Sequence, residues 1–105
     1  MIYEGEYING KKNGKGKEYY NNGELKFEGE FLNGERNGKG KEYYSDFGEL
    51  EFEGEYLNGK RHGKGKEYSI NNELIFDGEY LYNQKLVGKN YIFFFKWKEK
   101  VKYNN

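Results

Sequence analysis

A quartet of aromatic, acidic residue, glycine and glutamate returns four times in this chain, at Tyr3–Glu6, Phe27–Glu30, Phe52–Glu55 and Phe76–Glu79, with starts 24, 25 and 24 residues apart. A second aromatic follows four positions after the first, at Tyr7, Phe31, Tyr56 and Tyr80. Asn-Gly comes next, at Asn9-Gly10, Asn33-Gly34 and Asn58-Gly59, and gives way to Asn83-Gln84 in the last copy. Gly-Lys-Gly then follows at Gly14–Gly16, Gly38–Gly40 and Gly63–Gly65, before each unit closes on Lys-Glu-Tyr. In the fourth copy an extra Tyr82 is expected to shift the register, so that only Gly88 survives and Asn90 replaces its partner. A period of this length signals a repeat architecture whose units stack on their neighbours. The few large anchors in one unit cannot offset the entropy of ordering some two dozen residues. A lone repeat does not fold.

Within each unit the spacing is that of strands. In Leu25–Leu32 the residues Leu25, Phe27, Gly29 and Phe31 share one face, and Lys26, Glu28, Glu30 and Leu32 share the other. Asn-Gly between two such runs suits a tight hairpin turn. The spacing predicts strands near 2–8, 15–20, 25–32, 39–44, 50–57, 64–69 and 73–82. Recurrent glycine and the absence of a 3.6-residue stripe argue against helix. The expected fold is all-β, a single-layer meander of stacked antiparallel hairpins with seven to nine strands. Units fall at 3–26, 27–51, 52–75 and a degenerate 76–90, and 91–105 closes the sheet as a capping strand. Aromatics make up 20% of the residues and all hydrophobics only 34%, so rings rather than aliphatic chains must supply the core. Gly29, Gly38 and Gly40 then have a purpose: rings can lie across bare backbone there.

The opening segment from Tyr3 to Gly16 has the pattern Tyr-x-Gly-x-aromatic-x-x-Gly-x-x-x-Gly-x-Gly, and Phe27–Gly40 and Phe52–Gly65 match it equally well. This pattern resembles the MORN repeat (membrane occupation and recognition nexus), over residues 3–89. The longer connections and the 24–25-residue period are similar to a MORN-like variant of bacterial and viral repeat proteins, some of them antitoxins. The resemblance implies hairpin strips that serve as scaffolds for protein contact. In some members it implies association with phosphoinositide membranes, and it implies no catalytic residue within the repeat.

Formal net charge is zero, so no global attraction to nucleic acid is expected, and nucleic acid is not an expected partner. There is no cysteine, hence no thiol nucleophile and no thiolate metal site. No basic-then-apolar leader is visible and no apolar run approaches the ~20 residues that span a bilayer, so a cytoplasmic location is the expectation.

Gly-x-Gly beside lysine could cradle phosphate, but no helix follows it. Glu28 and Glu30 recur in every unit, which suits cross-strand partners of Lys15, Lys17, Lys39 and Lys41 better than a catalytic pair. His62 aligns with Asn13 and Asn37 and reads as a turn residue. No enzyme activity, cofactor or metal is expected.

Two surfaces could bind. The turns carry Lys11, Lys12, Arg36, Lys60 and Arg61, and the opposite turns carry Glu24, Asp46, Glu49 and Glu73. The basic rim could face anionic phospholipid or an acidic peptide, or could simply be a solvated surface. Tyr19, Tyr43 and Tyr68, together with Phe93, Phe95 and Trp97, are the candidate aromatic contacts for a protein partner. A homo-oligomer could form through the sheet edge or the C-terminal cap. The function expected is a non-catalytic scaffold for protein–protein interaction or self-association. The alternatives are phospholipid binding or an antitoxin-like inhibitor.

Overall fold

The computed structural model describes residues 2–46, 48–87 and 90–91. Eight strands follow one another as an antiparallel meander in an open sheet, each hydrogen-bonded to the next in sequence. They are β1 (Ile2–Ile8), β2 (Lys11–Tyr19), β3 (Leu25–Leu32), β4 (Glu35–Tyr43), β5 (Leu50–Leu57), β6 (Lys60–Tyr68), β7 (Leu74–Leu81) and β8 (Gln84–Val87). A short β9 (Asn90–Tyr91) pairs with β8. The expected all-β hairpin meander is therefore observed. The expected cap at 91–105 lies outside the described residues apart from Tyr91.

The second strand of each unit starts four residues before the expected position. Asn33 and Gly34 have φ of 52° and 91°, the paired positive angles of a two-residue type I′ turn. Glu35 therefore pairs with Leu32 at once. The expected loop between Asn-Gly and Gly-Lys-Gly is instead strand with a bulge. Between the pairs Gly29–Gly40 and Phe31–Arg36, β3 advances two residues while β4 advances four. Gly38, at φ 105°, sits in that bulge. It is not a slot for a ring, contrary to expectation. The Glu30 carboxylate lies against it and accepts the Lys39 backbone N–H at 2.8 Å. Glu6 and Glu55 repeat the arrangement with Lys15 and Lys64, at 3.0 and 2.9 Å.

Nor does Tyr82 shift the register of the fourth unit. Tyr82 and Asn83 form the two-residue turn, with φ of 46° and 73°, so Tyr82 stands where Asn58 stands one unit earlier. Lys85 consequently takes the place of Arg61, pairing with Tyr80 as Arg61 pairs with Tyr56.

The core is one layer of rings on one face of the sheet. Tyr7, Tyr3, Phe31, Phe27, Tyr56, Phe52, Tyr80 and Phe76 form an unbroken series of edge-to-face contacts, with centroids 5.2–5.6 Å apart. From Phe31 on, each second aromatic stands between the first aromatics of its own and the preceding unit. Beneath the rings runs a row of glycines paired across seven strands, from Gly5 through Gly29 and Gly40 to Gly78. A Cβ on Gly29 would lie 2.5 Å from the Lys39 carbonyl oxygen, and one on Gly40 would run into the Phe27 ring. The glycine row is what lets the rings lie flat on the backbone. Further rungs tie unit to unit: the Tyr20 and Tyr44 hydroxyls donate to the carbonyls of Tyr43 and Tyr68 at 2.6 and 2.7 Å.

Candidate functional site

Alternation along each strand divides its charges between two faces. On the ring face, Glu18, Glu42 and Glu67 alternate with Lys12, Arg36, Arg61 and Lys85 in a continuous ladder of ion pairs. The distances are 3.2 Å for Lys12–Glu18, 2.9 Å for Glu18–Arg36, 2.7 Å for Glu42–Arg61 and 2.9 Å for Glu67–Lys85. Each cation also lies over the first ring of its unit. The Arg36 and Arg61 guanidinium carbons are 4.1 Å from the centroids of Phe27 and Phe52. Burial works to raise the Glu42 carboxyl, but Arg61 and Arg36 on its two sides hold it below the usual carboxylate range. Burial, with Glu42 nearby, pushes the Tyr56 phenol up, although its hydroxyl is not in hydrogen-bonding geometry with any described group. The Tyr80 hydroxyl does donate to Glu67, at 3.1 Å.

This changes the expected basic rim. Lys12, Arg36 and Arg61 are strand residues, not turn residues, and their charges are spent within the sheet. Arg36 is in ion pairs with two carboxylates and Arg61 with three, and both side chains are only 17% exposed. Lys11 and Lys60 open their strands and are exposed. His62 is likewise a strand residue: its Nδ1 accepts the Tyr82 backbone N–H at 3.3 Å, as Asn37 Oδ1 accepts that of Asn58 at 3.1 Å.

The opposite face is built differently. There the register aligns Glu4, Lys17, Glu28, Lys41, Glu53, Lys66 and Asp77 across seven strands. A second row, on the other side of the glycines, pairs Lys15 with Glu30, Lys39 with Glu55 and Lys64 with Glu79. Between the two rows lies a trough of about 890 Å³, floored by glycine backbone and running across the strands. Glutamates and lysines do stand opposite one another as expected, yet none of these trough lysines is in an ion pair within 4.0 Å among the described residues. They are exposed, so their ammonium groups remain available to an incoming ligand.

Tyr19, Tyr43 and Tyr68 are half-buried on this same side, where the wall ends. Tyr19 donates to Glu4 at 2.8 Å and Tyr43 to Glu28 at 3.2 Å. Burial and the Glu28 charge push the Tyr43 phenol up to about 12. The structure thus brings these tyrosines together with the trough. Phe93, Phe95 and Trp97 lie outside the described residues. Sequence reasoning missed the trough itself. The Glu-Gly-Glu and Lys-Gly-Lys triplets were visible, but not the register that lines them up. Among the described residues no three His, Asp or Glu side chains converge as a metal site requires, and no helix is long and apolar enough to cross a membrane.

Comparison with known families matches the MORN repeat model to residues 3–24, 27–49 and 52–73. The matched segments are the first three hairpins with their linkers, more than half of the chain. No curated protein matches the sequence.

Proposed function

This chain belongs to the MORN-repeat family, and from that premise we propose that it is a non-catalytic scaffold holding an extended segment of a partner protein along its charged trough. One observation carries the reading. The lysines of the ring face are consumed by glutamates, whereas those of the trough are exposed and, among the described residues, outside any ion pair, although carboxylates stand beside them. Such groups can pair with a ligand without first giving up an internal partner.

The spacing narrows the ligand. Strands lie about 4.8 Å apart, so like charges recur along one wall about every 9.6 Å. A polyproline II helix advances about 9.3 Å in three residues. A peptide in that conformation, with a charge at every third position, keeps step with the wall. Tyr19, Tyr43 and Tyr68 provide flat contacts at its margin. An anionic lipid surface fits less well: Arg36 and Arg61 are engaged, and trough lysines alternate with acids, which leaves no field of one sign.

The test is selection from a displayed library of proline-rich peptides. Binders should converge on charges three residues apart, and should be lost when Lys41 and Lys66 are both changed to glutamate. Failure to enrich any sequence, or enriched peptides indifferent to that double change, would overturn the reading.

A further inference from the structure

We propose that the outer edge of β1 is a second binding site, taking the edge of a partner β-hairpin whose outer strand reads Gly-Lys-Gly-Lys-Glu. Three series that run through the whole sheet stop short at this edge. First, β3, β5 and β7 each carry glutamate or aspartate around a glycine and are flanked by a lysine strand, as Lys15–Lys17 flanks Glu28–Glu30. β1 presents Glu4, Gly5 and Glu6 to β2 alone, and among the described residues no strand pairs with its other side. Second, Phe31, Tyr56 and Tyr80 each stand between two rings and are 3–5% exposed. Tyr7, their counterpart, meets the Tyr3 ring alone among the described residues and is 56% exposed. Third, Arg36 lies between Glu18 and Glu42, while among the described residues Lys12 pairs with Glu18 alone.

One incoming strand answers all three series. In the register that β2 uses on β3, its lysines would face Glu6 and Glu4 and its glycine would face Gly5. Its glutamate would reach Lys12. An aromatic on the strand behind would supply the second ring for Tyr7. Adding a strand to an exposed edge in this way is an established mode of peptide recognition, and unpaired edges are templates for it. The charges also select against another copy of this chain. Two β1 edges paired antiparallel with Gly5 opposite Gly5 would set Glu4 against Glu6, and like charges directly opposite are unfavourable. The sequence after β7 contains no Gly-Lys-Gly-Lys-Glu. The occupant this edge selects is therefore a basic, glycine-interrupted edge strand and not a second β1 edge.

The probe is a labelled synthetic hairpin copying residues 27–44, its two ends joined covalently to hold the hairpin because a lone repeat does not fold, titrated into the full chain and followed by fluorescence anisotropy. The expected result is saturable one-to-one binding, weakened about fivefold, equivalent to about 1 kcal/mol, when both lysines of its Gly-Lys-Gly-Lys segment are glutamate. That comparison uses the unaltered protein, so it stands even if edge variants misfold. Glu4→Lys with Glu6→Lys should reverse the preference and bind the glutamate hairpin better. Lys41→Glu with Lys66→Glu should leave hairpin binding unchanged, which separates this site from the trough. Absence of binding, equal affinity for the two hairpins, or loss of binding in the trough variant overturns the proposal. Self-association of the unaltered chain that disappears with Glu4→Lys would overturn the choice of partner.

Discussion

The two faces of this sheet carry similar charged residues and use them in opposite ways. On the ring face, Glu18, Arg36, Glu42 and Arg61 are clamped to one another and laid over phenyl rings. On the trough face, Lys17, Lys41 and Lys66 stand beside carboxylates yet extend into solvent. The difference is the surroundings. A charge between rings has lost water and must be compensated by a partner, whereas a charge over open backbone stays hydrated and pairs weakly. Identical residue types thus hold the repeats together on one side and stay available on the other.

The sharpest way to break the comparison is to remove a ring. Phe52 is fully buried and contacts Tyr56 and Tyr80, so it joins the third unit to the fourth. Phe52→Ala should cost about 3–5 kcal/mol, comparable with the whole stability of a small domain. Thermal melting by circular dichroism should show loss of a cooperative transition. A variant that melted like the parent would mean the ring layer is not the core.

Next in size is the charge ladder. Glu42→Gln removes charged hydrogen bonds to Arg36 and Arg61 and should cost about 1.5–3 kcal/mol at neutral pH. Its pH dependence carries a definite sign. The folded-state pKa of Glu42 lies below its unfolded value, so the unfolded chain binds more protons in that interval. The stabilisation is present above the ordinary carboxylate range and is lost as pH falls through the folded value. Urea midpoints across an acid series should therefore decline less steeply for Glu42→Gln than for the parent. Parallel slopes would remove Glu42 from the ladder.

Gly40→Ala asks whether the glycine row is needed. The new methyl would meet the Phe27 ring from below, and overpacking of this kind costs about 1–3 kcal/mol. Gly29 is less forgiving, because a Cβ there would meet main chain, which cannot rotate away. An unchanged denaturation midpoint for Gly40→Ala would show that Phe27 can tilt without loss, and that glycine there serves something other than ring packing.

The repeat, the hairpins and the pairing of aromatics with glycine were legible in the sequence because each rests on short-range spacing. Phe27, Gly29 and Phe31 announce their common face by alternation alone. What could not be read was the register between strands. The bulge at Asn37–Lys39 lets β4 begin at Glu35 rather than near residue 39, which puts Arg36 in a strand opposite Phe31 instead of in a turn. That is why Arg36 and Arg61 were expected on a basic rim and are found between rings. Tyr82 misled for a related reason: it adopts the positive φ normally left to Asn or Gly, so a turn position looked like an insertion. The trough needs the register of seven strands at once, and no single repeat contains that information.

The smallest expected effect on stability falls on the trough, and it sharpens the comparison most. Lys41 and Lys66 are exposed and belong to no ion pair within 4.0 Å among the described residues. Changing both to glutamate places each new carboxylate between acidic neighbours, Glu28 and Glu53 in one case and Glu53 and Asp77 in the other. Solvent screens such repulsion, so the cost should be about 0.5 kcal/mol or less for each site, with a slight recovery at high salt. Peptide binding in the trough should nevertheless disappear. A large loss of stability would show that the trough charges hold the sheet together as the ladder does, and the two faces would then differ only in burial.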